Sequence, residues 1–472
     1  MIRDHRNRSL VFSIIFLILL LSTAVFLANA EGTEDPETGL YEQAADRLFA
    51  AGMRQQGAYV LLLQLTALGP RLTGSPQAAA AVELTRQMMT DLELTNIHLE
   101  PTRVGRWVRG EEETALIISS RWGTRPLKVA SIGGSDPTPE TGIDGPVIEV
   151  KTFEELKAMG AAAKGAIIFF NRPMDPTLPD TFSAYGGAAD QRVRGAVEGA
   201  RAGAVAVLVR SLTTRRDDFP HTGVMLYEEG IPRIPAACLS TMGADELSRL
   251  LHSDPELRVH LKLDCRHLSP VISHNVIGEI EGSEKPEEIV LLGGHLDSWD
   301  QGTGAHDDGA GCVHALEALH LIKAAGLRPK RTVRAVMFMD EEFGGTGGRD
   351  YAGSPRRRRE RHIAAIESDR GGFLPLGFGI GHEDTFAEFK HWEPLFQRVG
   401  LQWLRPGGGG VDIGPLGQSG TLLIGLIPDS QRYFDVHHSA LDTIETVNSR
   451  ELEMGAVAMA LLAYILAQEG VN

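Results

Sequence analysis

The sequence predicts an α/β protein with a mostly parallel central sheet covered on both faces, accompanied by a second, β-rich module. Three observations carry this. From Val276 onward, apolar strand-like runs alternate with helical ones: "EEIVLLGG", then "GAGCVHALEALHLIKAAG", then "RTVRAVMFM". That alternation is the pattern of a parallel sheet buried on both faces. Residues 125–269 keep another rhythm, in which short strands ("PVIEV", "GAIIFF", "VAVLV", "RVHLKL") alternate with helices and bring no cluster of His and acid. The length, 472 residues, suits two domains or one large domain with an insertion.

Taken in order, residues 1–30 read as a secretory signal. "MIRDHRNR" is basic, "LVFSIIFLILLLSTAVFLA" is apolar, and Ala28, Asn29 and Ala30 offer a small-residue cleavage site after Ala30. The apolar run is long enough for an uncleaved membrane anchor, which stays as the alternative. The polar "EGTEDPETG" that follows favours cleavage, and the expected location is secreted or periplasmic. The net charge is -16, and removal of the leader leaves 43 basic and 61 acidic residues, or -18. An acidic globule of this kind argues against a nucleic-acid partner. The one basic run, Arg356–Glu360, reads as a solvated face beside acidic residues.

Residues 31–124 form the first part of the main domain. Leu40 to Leu94 carry apolar residues at helical spacing, "GPRLTGS" (Gly69–Ser75) separates helices, and "NIHLEPTRV" and "ETALIIS" are strands. Residues 270–472 form its second part. Cys238, Cys265 and Cys312 are too few and too scattered for a disulfide framework or a thiolate zinc site, so buried thiols are expected.

Ligands of an open parallel sheet bind beyond the carboxyl ends of its strands. There the sequence places His295 and Asp297, then Asp340, Glu341 and Glu342, then Glu367 and Asp369, then His437 and His438. One such residue is ordinary, since an Asp beside Gly usually marks a turn. Four strands delivering carboxylate or imidazole to one edge is different, because the carboxylates repel unless a cation lies among them. Imidazole and carboxylate without thiolate suit zinc, before manganese or cobalt. Other chemistries fail on spacing. "GQSGT" is not a nucleophile elbow, "HEDTF" lacks the second His of a zincin helix, and "GTGAHDDG" lacks the third glycine of a dinucleotide loop. His314 and His320 fall within a helix and read as packing residues.

"GHLDSWDQGTGAHDDGAG", "MDEEFGG", "ESDRGG" and "HHSALDT" strongly resemble the co-catalytic di-zinc exopeptidases, and the likeness extends to "GPRLTGS", "HLEPTRVGRWVRGEE" and "HTGVMLYEEGIPRIPAAC". The resemblance implies the three-layer zinc-exopeptidase fold, with 125–269 as a protease-associated (PA) domain inserted into the peptidase domain. It implies two Zn²⁺ per chain: His295 and Asp369 on one, Glu342 and His438 on the other, and Asp307 bridging. His438 is preferred to His437 because "HSALDT" fits the family spacing. Asp297 is implied to fix the tautomer of His295, and Glu341 to be the general base. "RPGGGGVDIGPL" (Arg405–Leu416) resembles the family's Gly-rich substrate loop.

The expected activity is hydrolysis of short peptides, dipeptides with free termini above all. The partners expected are these peptides alone, with no stable membrane contact once the leader is cut and with a homodimer left open. A general zinc aminopeptidase acting on longer peptides is the competing reading. Receptor-like relatives that have lost ligands are set aside, because all five ligands and the base are present. Residues Phe219–Gly230 of the second module are the candidates to face the cleft, since turn-forming and polar residues interrupt the strand rhythm there.

Overall fold

The computed structural model describes residues 36–381 and 383–471; the leader and its cleavage site lie outside the described residues. Two eight-stranded sheets organise them. At the centre of the first are four parallel strands, in the order Arg331–Phe338, Lys285–His295, Arg361–Glu367 and Leu422–Pro428. An antiparallel ribbon of Thr95–Val108 and Arg266–Ile280 flanks one side. Pro375–Ile380, antiparallel to its neighbour, and Trp403–Pro406 complete the other.

The apolar runs explain why the parallel strands sit in the middle. Along Lys285–His295, Val290 and Leu292 pack into one buried cluster and Leu291 into another, so both faces are covered. The thicker face is covered by helices, chiefly Ala310–Ala324 and Ser449–Glu469, both apolar over most of their circumference. A helix that is apolar nearly all round belongs in a core. Ser449–Glu469 is the one described helix long and apolar enough to span a membrane, and here it is packed inside the protein. Asn448 caps it, its side chain accepting from the N–H groups of Arg450 and Glu451. On the opposite face, Tyr351, Ile413 and Leu416 pack on Phe338, Val336 and Ala365.

The second sheet runs Gly123–Leu127, Glu113–Ser119, Arg258–Leu263, Ile143–Val150, Ile167–Phe170, Ala206–Arg210, Ala236–Leu239 and Val129–Ser131. Its stretch from Ile143–Val150 to Ala236–Leu239 is parallel. This corrects the boundaries of the module. "ETALIIS", assigned to the main domain, pairs with Arg258–Leu263, and Ala115 and Ile117 lie in the second sheet's own core. The module therefore begins near Glu113 rather than at 125, and the boundary at 269 falls inside the ribbon strand Arg266–Ile280. Strand alternation alone does not say which sheet a strand will join.

All three cysteines are free and buried, as their scatter implies. The basic run is partly internal. Arg356, Arg358 and Arg359 are exposed, whereas Arg357 pairs with Glu100 and Glu360 and lies over the ring of Tyr351.

Candidate metal centre

The strand Lys285–His295 ends in "GGH", and the glycine matters. A Cβ on Gly294 would lie 2.5 Å from the Asp308 carboxylate. That close approach lets Asp308 accept the N–H of His295 (3.0 Å) and the N–H of Gly311 (2.8 Å), joining the strand end to the start of helix Ala310–Ala324. His295, 1% exposed, is thereby fixed at the carboxyl edge of the sheet.

Asp307 stands at the middle of the cluster. One of its oxygens lies 3.3 Å from His295 Nε2, and the other 3.1 Å from His438 Nε2. A single carboxylate with an imidazole at each oxygen has the arrangement of a bridge. Asp369 approaches His295 Nε2 at 3.5 Å, and Glu342 approaches His438 Nε2 at 3.3 Å. Three sets each bring their potential ligand atoms within 4.8 Å of one another: His295–Asp307–Glu342, His295–Asp308–Asp369 and Asp307–His437–His438. His437 Nε2 is 3.6 Å from Asp307, and its ring stacks on that of His438 within the aromatic group of Tyr185, Tyr433 and Phe434. His438 alone of the two also reaches Glu342, which favours it as the ligand.

These residues suit divalent cations. His295 Nε2, Asp307 Oδ2 and Glu342 Oε1 are buried with no hydrogen-bond partner among the described residues, although buried polar atoms are nearly always satisfied. The charge balance demands a cation as well. Burial opposes protonation of His438, yet Glu342 and Asp307 outweigh it and push the imidazole up to about 10. Burial likewise opposes protonation of His295, and Asp369 and Asp307 drive it well above its ordinary value. Burial and then Asp307 raise Glu342 to about 7. The cluster favours positive charge at its centre, which a metal ion would supply.

The structure corrects the expected part of Asp297. His295 Nδ1 faces the backbone carbonyl of Asp297 at 3.0 Å, while the nearer carboxylate oxygen is 3.8 Å away. The Asp297 carboxylate turns instead to the adjacent strand end. It accepts the N–H groups of Asp340 (2.8 Å), Glu341 (3.2 Å) and Glu342 (3.3 Å), and the hydroxyl of Thr73 (2.5 Å). Asp340 adopts a left-handed conformation, φ 75°, as the chain turns there. Asp297 thus positions the whole Glu341–Glu342 turn, while its carbonyl sets the His295 tautomer. Glu341 follows that turn beside Glu342, and its carboxyl is held well above its ordinary value by burial and by Asp369 and Glu342.

Further supports complete the centre. Arg71 is fully buried behind the acidic loop and donates to the carbonyls of Leu296 (2.8 Å), Thr303 (2.5 Å) and Gly304 (3.0 Å). Asp442 accepts the N–H groups of His306 (2.7 Å) and Asp307 (3.1 Å). Thr222 belongs to the second module, and its carbonyl faces His438 Nδ1 at 3.2 Å while its N–H donates to the His438 carbonyl at 2.9 Å. Beside it, His221 Nδ1 lies 2.6 Å from the His437 carbonyl. Arg109 adds a clamp across the same seam, bidentate on Asp300 at 2.9 Å and bonded to Glu113 at 2.8 Å. "GPRLTGS" and "HHSALDT" contain the first two supports, but nothing in the sequence says that they face the loop. The expected segment Phe219–Gly230 does reach the site, through His221 and Thr222.

A carboxylate-and-imidazole cluster at the carboxyl edge of a parallel sheet, with an acid poised beside it, is the apparatus of a metal-dependent peptide hydrolase. Comparison with known proteins agrees. Residues 275–463 match the Peptidase family M28. Carboxypeptidase Q of Bos taurus is 36% identical over 418 residues, covering 88% of this chain and 86% of the relative. A crystal structure titled Peptidase M28 precursor, from Shewanella amazonensis SB2B, superposes with a TM-score of 0.88 at 33% identity, covering 92% of this chain and 98% of that one. A zinc aminopeptidase from Bacillus subtilis shares the fold, with a TM-score of 0.62 at 21% identity, over 88% of this chain and 96% of its own. The chain belongs to peptidase family M28, and it is a metallo-exopeptidase.

Proposed function

We propose that this metallo-exopeptidase hydrolyses short peptides, with dipeptides bearing two free termini as its best substrates, and that it acts outside the cytoplasm after cleavage behind Ala30. His295 and Asp369 would hold one zinc ion and Glu342 and His438 a second, with Asp307 contributing an oxygen toward each. The observation that carries the size limit is the bonding of His221 and Thr222 to the His437–His438 loop. It brings the Phe219–Gly230 segment of the module against the metal cluster, where an uncovered sheet edge would accept chains of any length.

Bound zinc supplies Lewis acidity to the scissile carbonyl and makes water a stronger acid. Glu341 takes the proton from the attacking water and returns it to the departing amine. Asp297 keeps Glu341 in place through the backbone, so the base needs no rearrangement during turnover.

The test is kcat/KM for a dipeptide, its N-acetylated form and a pentapeptide with the same N-terminus. The dipeptide is expected to be cut best. Equal cleavage of the pentapeptide would establish a general aminopeptidase instead.

A further inference from the structure

We infer that Arg370 binds the free α-carboxylate of the peptide substrate, and so selects for short chains. The inference rests on the dipeptide reading above and names the group that would enforce it.

Arg370 directly follows Asp369 at the carboxyl edge of the sheet and is half-buried. Its guanidinium lies 4.4 Å from the centre of the Phe182 ring, which the second module contributes. Phe182 in turn stacks on Tyr433, with ring centres 5.2 Å apart. A cation resting on an aromatic face keeps its N–H edge open to an anion. Among the described residues Arg370 forms no ion pair and no hydrogen bond, and it adjoins Asp369 in the chain.

The neighbouring arginines are all engaged. Arg71 is spent on loop carbonyls and Arg109 on Asp300 and Glu113. Arg432 pairs with Glu451 at 2.7 Å. Arg192 is 5% exposed and donates to the Thr222 carbonyl and the Tyr185 hydroxyl. Arg370 is the partly open cation that remains at the seam.

The substrate's geometry fits this place. In a dipeptide the free carboxylate follows the scissile carbonyl by one residue, a Cα spacing of about 3.8 Å. A cation serving it must therefore stand next to the metal cluster, as a residue adjoining Asp369 does. In a pentapeptide cut at its first bond, a neutral amide occupies that position, and the charge-assisted bond is lost.

The experiment compares wild type, Arg370→Gln and Arg370→Lys on a dipeptide and its C-terminal amide, with metal content measured in each. Wild type should prefer the acid to the amide. In Arg370→Gln that preference should fall about 10- to 100-fold, the range of a lost hydrogen bond to a charged group, chiefly through KM and with metal content unchanged. Arg370→Lys should restore part of it, and Phe182→Leu should reduce it. Undiminished preference in Arg370→Gln overturns the inference, as does a wild type indifferent to amidation should the variants fail to fold. A wild type that cuts the pentapeptide as well as the dipeptide overturns the dipeptide reading itself, which the amide comparison does not touch.

Discussion

Replacing Arg71 with Met should weaken the fold and loosen the metal centre together. The guanidinium is fully buried, and its three bonds of 2.5 to 3.0 Å hold the carbonyls of Leu296, Thr303 and Gly304. Met fills similar space but donates nothing. The carbonyls of Leu296 and Thr303 would be left without a partner, at about 1–3 kcal/mol each, while that of Gly304 keeps the N–H of Gly309. Relief of a buried charge returns part of that, because burial already pulls Arg71 below its ordinary pKa. The expected net loss is about 3 kcal/mol, a large share of the roughly 5–15 kcal/mol that a folded protein possesses. The same loop carries Asp297 and leads into Asp307, so zinc affinity should fall as well. Equilibrium urea unfolding of the metal-free variant measures the first effect, provided that two spectroscopic probes coincide. Zinc titration of the folded protein measures the second. A loss below about 1 kcal/mol with zinc affinity intact would refute the assignment of Arg71 as the loop's anchor.

Other perturbations separate the remaining roles. Glu341→Gln should lower kcat by about 10²- to 10⁴-fold at unchanged metal content, since it removes a proton acceptor and no ligand; retention of most activity would transfer the role elsewhere. Glu342→Gln should instead reduce elemental zinc from two ions per chain toward one, and two ions retained would contradict its place as a ligand. Glu453, buried beside Glu317 with its carboxylate accepting the N–H of Ala58, is pushed up to about 8 by burial and then by Glu317. A carboxyl raised in the folded state keeps its proton after the unfolded chain has released its own. Its stabilising contribution is therefore full at acid pH and lost as pH climbs from the ordinary carboxylate range toward 8. Glu453→Gln should gain stability relative to wild type between pH 5 and 8, and an opposite trend in paired denaturation curves would reverse the argument.

Much of the site was legible because its residues follow strand ends. His295, Glu341, Glu342 and Asp369 each stand at the end of an apolar run, and that periodicity is a local property. Asp307 and His438 became legible through the motifs around them. The supports were not. Arg71 meets its acceptors more than two hundred positions along the chain, and a buried arginine with carbonyl partners has no spacing that announces it. The direction of Asp297 depends on the turn at Asp340, whose left-handed backbone Asp tolerates better than most residues but no spacing in the sequence announces. The module boundaries were misplaced because Glu113–Ser119 pairs with Arg258–Leu263 across more than a hundred positions and the ribbon strand Arg266–Ile280 spans the change in composition.

The contributors to the metal centre are spread from Arg71 to Asp442. Synthesis proceeds from the amino end, so His438 and Asp442 leave the ribosome after all the others. Until they do, Asp307 lacks its second imidazole and the Asp442 carboxylate that holds its backbone N–H. A growing or prematurely ended chain therefore carries His295 and the acidic loop but no completed centre. A peptide-cutting enzyme built this way has no complete set of site residues until its last segment has been made.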